Sequence, residues 1–278
     1  MQIIEQFLAG KTGNEDINED RIAVGDNFIG LFDGATNRGG STLAGLPLGR
    51  FAAETVAQAL HDLPADITAR AAIDSLSATL HQRTHAEAAK EGRDFAQDWS
   101  APATAVLIYS KARREIWRVA DSTFIVNGGD ANMRFFAQER TWCDLRRAWL
   151  QAQMVRGMSE EDLIADDKSW ELLTPLIGAL KVFANSDHAM AHPYGFGVIN
   201  GSPVPDRYIE VFDASDAQEI VFASDGYPEV LPTLEKTEDA LRKAIARDPL
   251  MYKIHPQVKG VRKGWVSYDD RSYIRFAV

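Results

Sequence analysis

The 278 residues contain a single cysteine, Cys143. An intrachain disulfide is therefore excluded, and so is a structural zinc site built on several thiolates. No apolar run approaches the ~18 residues of a membrane-spanning helix, and the N-terminus MQIIEQFLAGKTGNED lacks a basic start followed by an apolar core. Positive charge is also short: 30 Lys and Arg stand against 40 Asp and Glu, a net charge of −10. Such a surface does not attract a polyanion, so no nucleic-acid partner and no membrane partner are expected. The lone thiol and the missing leader point to a cytoplasmic, reducing compartment.

What is present is a core-forming share of hydrophobic residues, 45%. Residues 2–9 read as a first strand, and RIAVGDNFIGLF (21–32) reads as a hairpin turning at Gly25-Asp26. A two-residue turn there pairs Val24 with Asn27, Asp20 with Leu31 and Asn18 with Asp33. Residues 42–61 and 66–91 carry apolar residues at helical spacing, with Ser41 and Asp66 as candidate caps. Strands are expected again at 104–110, across 114–128, at 133–138, 207–213, 219–225 and 271–278, and a helix at 233–246. Residues 140–182, with Trp142, Trp149 and Trp170 among many charges, read as a helical insertion between strands. Strands grouped into hairpins point to antiparallel sheets with helices outside rather than a parallel α/β sheet.

Five strand ends carry aspartates. FIGLF ends on Asp33, IWRVA on Asp121 and IVFAS on Asp225, while Asp20 precedes RIAV and Asp269-Asp270 precedes RSYIRF. In antiparallel sheets the C-terminal end of one strand lies beside the N-terminal end of its neighbour, so all five can converge on one edge. Clustered carboxylates repel one another unless a cation sits among them, and hard divalent cations prefer such oxygen donors. Gly34 and Gly226 follow two of these aspartates, where the missing Cβ allows close approach.

NEDR (18–21), GLFDGATNRGG (30–40), PATAVLI (102–108), WRVADST (117–123), VFASDGY (221–227) and YDDRSYI (268–274) occur in the order found in the metal-dependent protein phosphatase 2C family, which the chain resembles over essentially its whole length. The resemblance implies an α+β fold, a four-layer αββα sandwich of two antiparallel sheets with outer helix pairs, as a single domain over 1–278 with a helical flap at 141–181. It implies a phosphoserine/phosphothreonine protein phosphatase with two Mg²⁺ or Mn²⁺ ions and room for a third. Carried onto this sequence, Asp33 would bridge the two ions, the Gly34 carbonyl would join one of them, and Asp225 and Asp269 would complete the other. Asp20 would contact the site directly or through water, Asp121 would serve the additional ion, and Asp270 would be a neighbour. Two cations about 3.5–4 Å apart would activate a bridging water for attack on phosphorus. Thr104, Ser122 and Cys143 then fall to structural roles.

The pattern departs from the family at three positions. Glu15 stands where many members carry a phosphate-binding arginine, which leaves Lys11 and Arg38 as candidate substrate-binding residues. Ala35 replaces a histidine found in some members, and DST at 121–123 lacks the frequent arginine at its third position. Two other readings follow: a phosphatase for a small phosphorylated metabolite, and a catalytically silent binding module of the same fold. The pair His188 and His192, next to Pro193, is expected in a loop, with a place in the substrate cleft as its one functional option.

Overall fold

The computed structural model describes residues 1–37, 39–95 and 101–278. Its elements are β1 (Gln2–Ala9), β2 (Arg21–Val24), β3 (Phe28–Gly34), β4 (Thr42–Leu43), β5 (Leu46–Pro47), α1 (Leu48–Leu60), α2 (Ala69–Lys90), β6 (Thr104–Ser110), β7 (Glu115–Val119) and β8 (Thr123–Val126). There follow α3 (Ala137–Val155), α4 (Glu160–Ala165), α5 (Ser169–Leu180), β9 (Glu210–Asp213), β10 (Glu219–Ala223), α6 (Leu234–Arg247) and β11 (Arg271–Ala277). Two antiparallel sheets form, one in the order β1-β11-β10-β8 and the other β2-β3-β6-β7-β9.

Side chains alternate between the faces of a strand, and that period sets the layers. Ile29 and Leu31 of β3 meet Ile220 and Phe222 of β10 and Ile274 and Phe276 of β11 in a core between the sheets. Their neighbours Phe28 and Phe32 point the other way, into a second core with Phe51 and Val56 of α1 and Ile73 and Leu76 of α2. On the outer face of the four-stranded sheet, Val221, Ala223 and Tyr273 pack with Leu241 of α6 and with Met251 and Tyr268. The result is helix, sheet, sheet, helix: the α1/α2 pair covers one side, and α6 with the segment 248–268 covers the other.

Several local expectations are corrected. The β2–β3 hairpin pairs Val24 with Ile29 and Arg21 with Phe32, two residues away from the register of a two-residue turn. The loop closes through Gly25 N–H donating to Phe28 O at 2.9 Å. A shift of two keeps every side chain on its face, and continuing the ladder one step sets Asp20 opposite Asp33. Residues 42–47 are a small hairpin rather than the start of a helix, because Ala44 (φ 51°) and Gly45 (φ 76°) are left-handed. Helix α1 begins after Pro47 with no side-chain cap, and Thr68 rather than Asp66 caps α2. The expected strand at 133–138 is not formed: Asn132 makes one bridge to Phe124, and α3 starts at Ala137.

Candidate active site

Asp33 is the penultimate residue of β3, and Asp225 lies two residues beyond β10 in the other sheet. The two meet at the sandwich edge, where Asp225 N–H donates to Asp33 Oδ2 at 3.3 Å. Around them opens a cavity of about 570 Å³ that Asp121, Asp269, Glu139 and Gly34 also line. Its opposite wall is apolar and aromatic, with Phe136, Trp142, Trp170 and Ile177 from the helices between β8 and β9. Thr104 Oγ1 donates to the Asp33 carbonyl at 2.9 Å and holds the end of β3. The buried Tyr268 hydroxyl does the same for Asp225 O at 2.9 Å.

Burial and crowding push these carboxyls up. Asp33 is raised well above the ordinary range by burial and by the charges of Asp225, Asp20, Asp269 and Asp121. Asp225 is pushed up to about 8 by burial and by Asp269 and Asp121. Asp121 and Glu139 are raised chiefly by burial, and their carboxyl groups lie within hydrogen-bonding reach of each other. Asp20 rises to about 7 through burial and Asp270, although Ser272 Oγ donates to its Oδ2 at 2.8 Å.

Asp20 stands behind Asp33, 1% exposed, and is not among the residues that line the cavity. Asp270 ties the β1 loop to β11, accepting from Lys11 N at 2.8 Å, Lys11 Nζ at 2.6 Å and Glu19 N at 3.2 Å. Lys11 is buried among acids: its ammonium contacts Glu19 at 3.1 Å, Thr36 Oγ1 at 3.2 Å and Asp269 at 3.6 Å, and it does not line the cavity. Burial opposes that charge, but Asp269, Glu19 and Asp270 together raise Lys11 above the usual lysine range. Arg38 lies outside the described residues. Glu15 serves the loop, accepting from Gly10 N at 2.9 Å and Asn18 Nδ2 at 3.0 Å.

His188 accepts from Met190 N at 3.1 Å, and neither His188 nor His192 lines the cavity. Cys143 does line it, but burial and Glu139 push its thiol up to about 12, which disfavours the thiolate that a nucleophile needs.

Two residues of the site escaped the sequence. Glu139 sits at the third position of α3 and bonds Phe136 N–H at 3.2 Å, so in sequence it reads only as a helix cap. Lys259 comes from the segment between α6 and β11, with no motif around it, and its ammonium pairs with Asp269 Oδ2. Burial works against the charge of Asp269, yet Lys259 and Lys11 hold its carboxyl below the ordinary range.

Among the described residues, no three carboxylate, imidazole or thiolate groups converge as a preformed cation cage; in this arrangement the two ammonium groups carry balancing charge. The donor set is nonetheless all oxygen, and its mutual repulsion is what a hard divalent cation relieves.

No protein-family model and no curated protein sequence matches the chain. Solved structures do match in shape. The serine/threonine phosphatase Stp1 from Staphylococcus aureus aligns at a TM-score of 0.50 and 15% identity, covering 100% of this chain and 95% of that one. The Mycobacterium tuberculosis serine/threonine phosphatase PstP/Ppp gives 0.47 and 13%, over 99% and 98%. The PstP catalytic domain in complex with two manganese ions gives 0.48 and 14%, over 99% and 97%. Of these three, the first reaches a score at which a shared fold is read. The chain has the αββα fold of the protein phosphatase 2C family.

Proposed function

We propose that this protein is a metal-dependent phosphoserine/phosphothreonine protein phosphatase, folded as one domain with the α3–α5 helices as its flap. The observation that carries this reading is the meeting of Asp33 and Asp225, one from each sheet, on the floor of a cavity that Asp121, Glu139 and Asp269 share. Asp33, Asp225 and Asp269, with the Gly34 carbonyl, are the groups that would hold two Mg²⁺ or Mn²⁺ ions. Asp121, with Glu139 beside it, would serve a third. Bound there, the cations supply Lewis acidity at the phosphoryl oxygens and a water nucleophile near neutral pH.

The chain's own residues do the rest. Thr104 and Tyr268 hold the backbones of Asp33 and Asp225, so the two carboxylates keep a fixed separation. Asp20 lies behind Asp33 and adds negative charge to the cluster. The apolar wall of Phe136, Trp142, Trp170 and Ile177 excludes water and favours the side chains of a polypeptide over a small polar metabolite.

Hydrolysis of an aryl phosphate with Mn²⁺, with EDTA, and by Asp33→Asn and Asp225→Asn tests the reading. Metal-dependent turnover that falls at least ~100-fold in both folded variants is expected. No metal-dependent turnover by the wild type would refute it. Faster turnover of phosphorylated metabolites than of phosphopeptides would favour the metabolite phosphatase instead.

A further inference from the structure

Among the described residues, Arg134, Arg140, Arg147, Lys181 and Lys259 are the cations that line the cavity, and Arg140 is exposed at its rim. Arg134 pairs with Glu210 at 2.6 Å, and Arg147 donates to Tyr252 O at 2.9 Å. Lys259 differs. It is 8% exposed, it lines the cavity, and its ammonium stands within the carboxylate group, on Asp269 Oδ2 and 3.3 Å from Thr36 Oγ1. An ammonium carries three donors, and among the described residues these two acceptors leave one N–H over. Lys11, the other buried ammonium, already has Glu19, Asp270 and Thr36 as acceptors and lies off the cavity.

The segment that carries Lys259 is firmly built. A Cβ on the adjacent Gly260 would stand 2.7 Å from Leu250 O, so the two backbones are in contact. Val261 N–H donates to Pro249 O at 2.8 Å, and Asp248 Oδ2 accepts from the N–H groups of Tyr252, Lys253 and Ile254 at 3.0, 2.6 and 3.0 Å. From α3, Arg146 reaches across to Leu250 O at 2.6 Å.

We propose that Lys259 binds the substrate's phosphoryl group; this rests on the phosphatase reading above. Lys259 lines the same cavity as Asp33, Asp225 and Asp269 and sits beside Asp269, so its remaining N–H is placed to meet an anion that enters the cavity. With the carboxylates neutralised by the cations proposed above, Lys259 is the buried positive side chain facing that anion. A charge-assisted hydrogen bond to phosphate is strong in such a partly desolvated place. Asp269 meanwhile holds the ammonium in position before substrate arrives.

The test uses the full chain with Mn²⁺. Inorganic phosphate binding is measured by calorimetry, Mn²⁺ affinity in parallel, and kcat and KM with an aryl phosphate, for wild type, Lys259→Met and Lys259→Arg. In Lys259→Met, phosphate affinity should fall and KM rise about tenfold or more, with Mn²⁺ affinity undiminished. Lys259→Arg should recover most of the phosphate affinity. Unchanged phosphate affinity in Lys259→Met would overturn the proposal. So would joint loss of phosphate and Mn²⁺ binding in both variants, since Lys259 would then serve only to hold the carboxylates. If Lys259→Met fails to fold, Lys259→Gln replaces it. A wild type whose phosphate binding depends on Lys259 yet which cleaves no ester refutes the phosphatase reading and leaves Lys259 as an anion-binding residue without a phosphoester substrate.

Discussion

Gly34 and Gly226 are needed for closeness rather than for an unusual backbone angle. A Cβ on Gly34 would stand 2.5 Å from Glu19 O and from the Gly49 backbone, and one on Gly226 would stand 1.9 Å from Asp270 O. In sequence the two glycines read as room for a ligand; in the fold, the protein's own backbone fills the space. Gly226→Ala must therefore push β11 away from the Asp225 loop. It should cost about 2–3 kcal/mol in urea unfolding and weaken Mn²⁺ binding. An unchanged unfolding midpoint would show that the loop yields without loss.

Among the elements, α3 couples the insertion to the body of the protein through one side chain. Arg146 is fully buried, bonds Asp167 at 2.6 Å and Ser169 Oγ at 2.9 Å, and donates to Leu250 O at 2.6 Å. It thus joins α3, the start of α5 and the segment that leads to Lys259. Arg146→Met leaves the buried Asp167 charge and the Leu250 carbonyl without their partner. A loss of about 3–5 kcal/mol in chemical denaturation is expected. Asp167→Asn in the same background should recover part of that loss, because the stranded charge is removed. If the second change recovers nothing, the cost lies in packing rather than charge.

For the molecule as a whole, the collected acids make stability depend on pH and cations together. The carboxyls of Asp20, Asp33, Asp121, Asp225 and Glu139 are all raised in the fold. Such groups favour the folded state when protonated. Their penalty is absent below the unfolded value near ~4 and complete above the folded values, which reach about 7 for Asp20 and about 8 for Asp225. With EDTA, the thermal midpoint should therefore fall as pH rises across this window. Mn²⁺ should raise it more at the alkaline end, where the carboxylates are charged and ready to ligate. An EDTA midpoint that rises steadily over the same window would contradict the repulsion among these groups.

The aspartates at the strand ends, the antiparallel layers and the long helices α1–α3 were legible in the sequence, because hydrophobic period and strand punctuation are local properties. The hairpin register was legible only to within two residues: period two determines the face of each side chain, while the turn determines the partner. Gly45 and the residue before it broke the helical pattern over 42–47 by a backbone angle that periodicity does not show. The tertiary structure alone decided that Asp20 stands behind Asp33 and that Glu139 reaches the cluster from an inserted helix. It also decided that Lys259, not Lys11, faces the cavity. Those facts depend on contacts between segments far apart in the chain, such as Lys11 with Asp270 and Lys259 with Thr36. A charged residue carries no local mark of which distant charge it will meet.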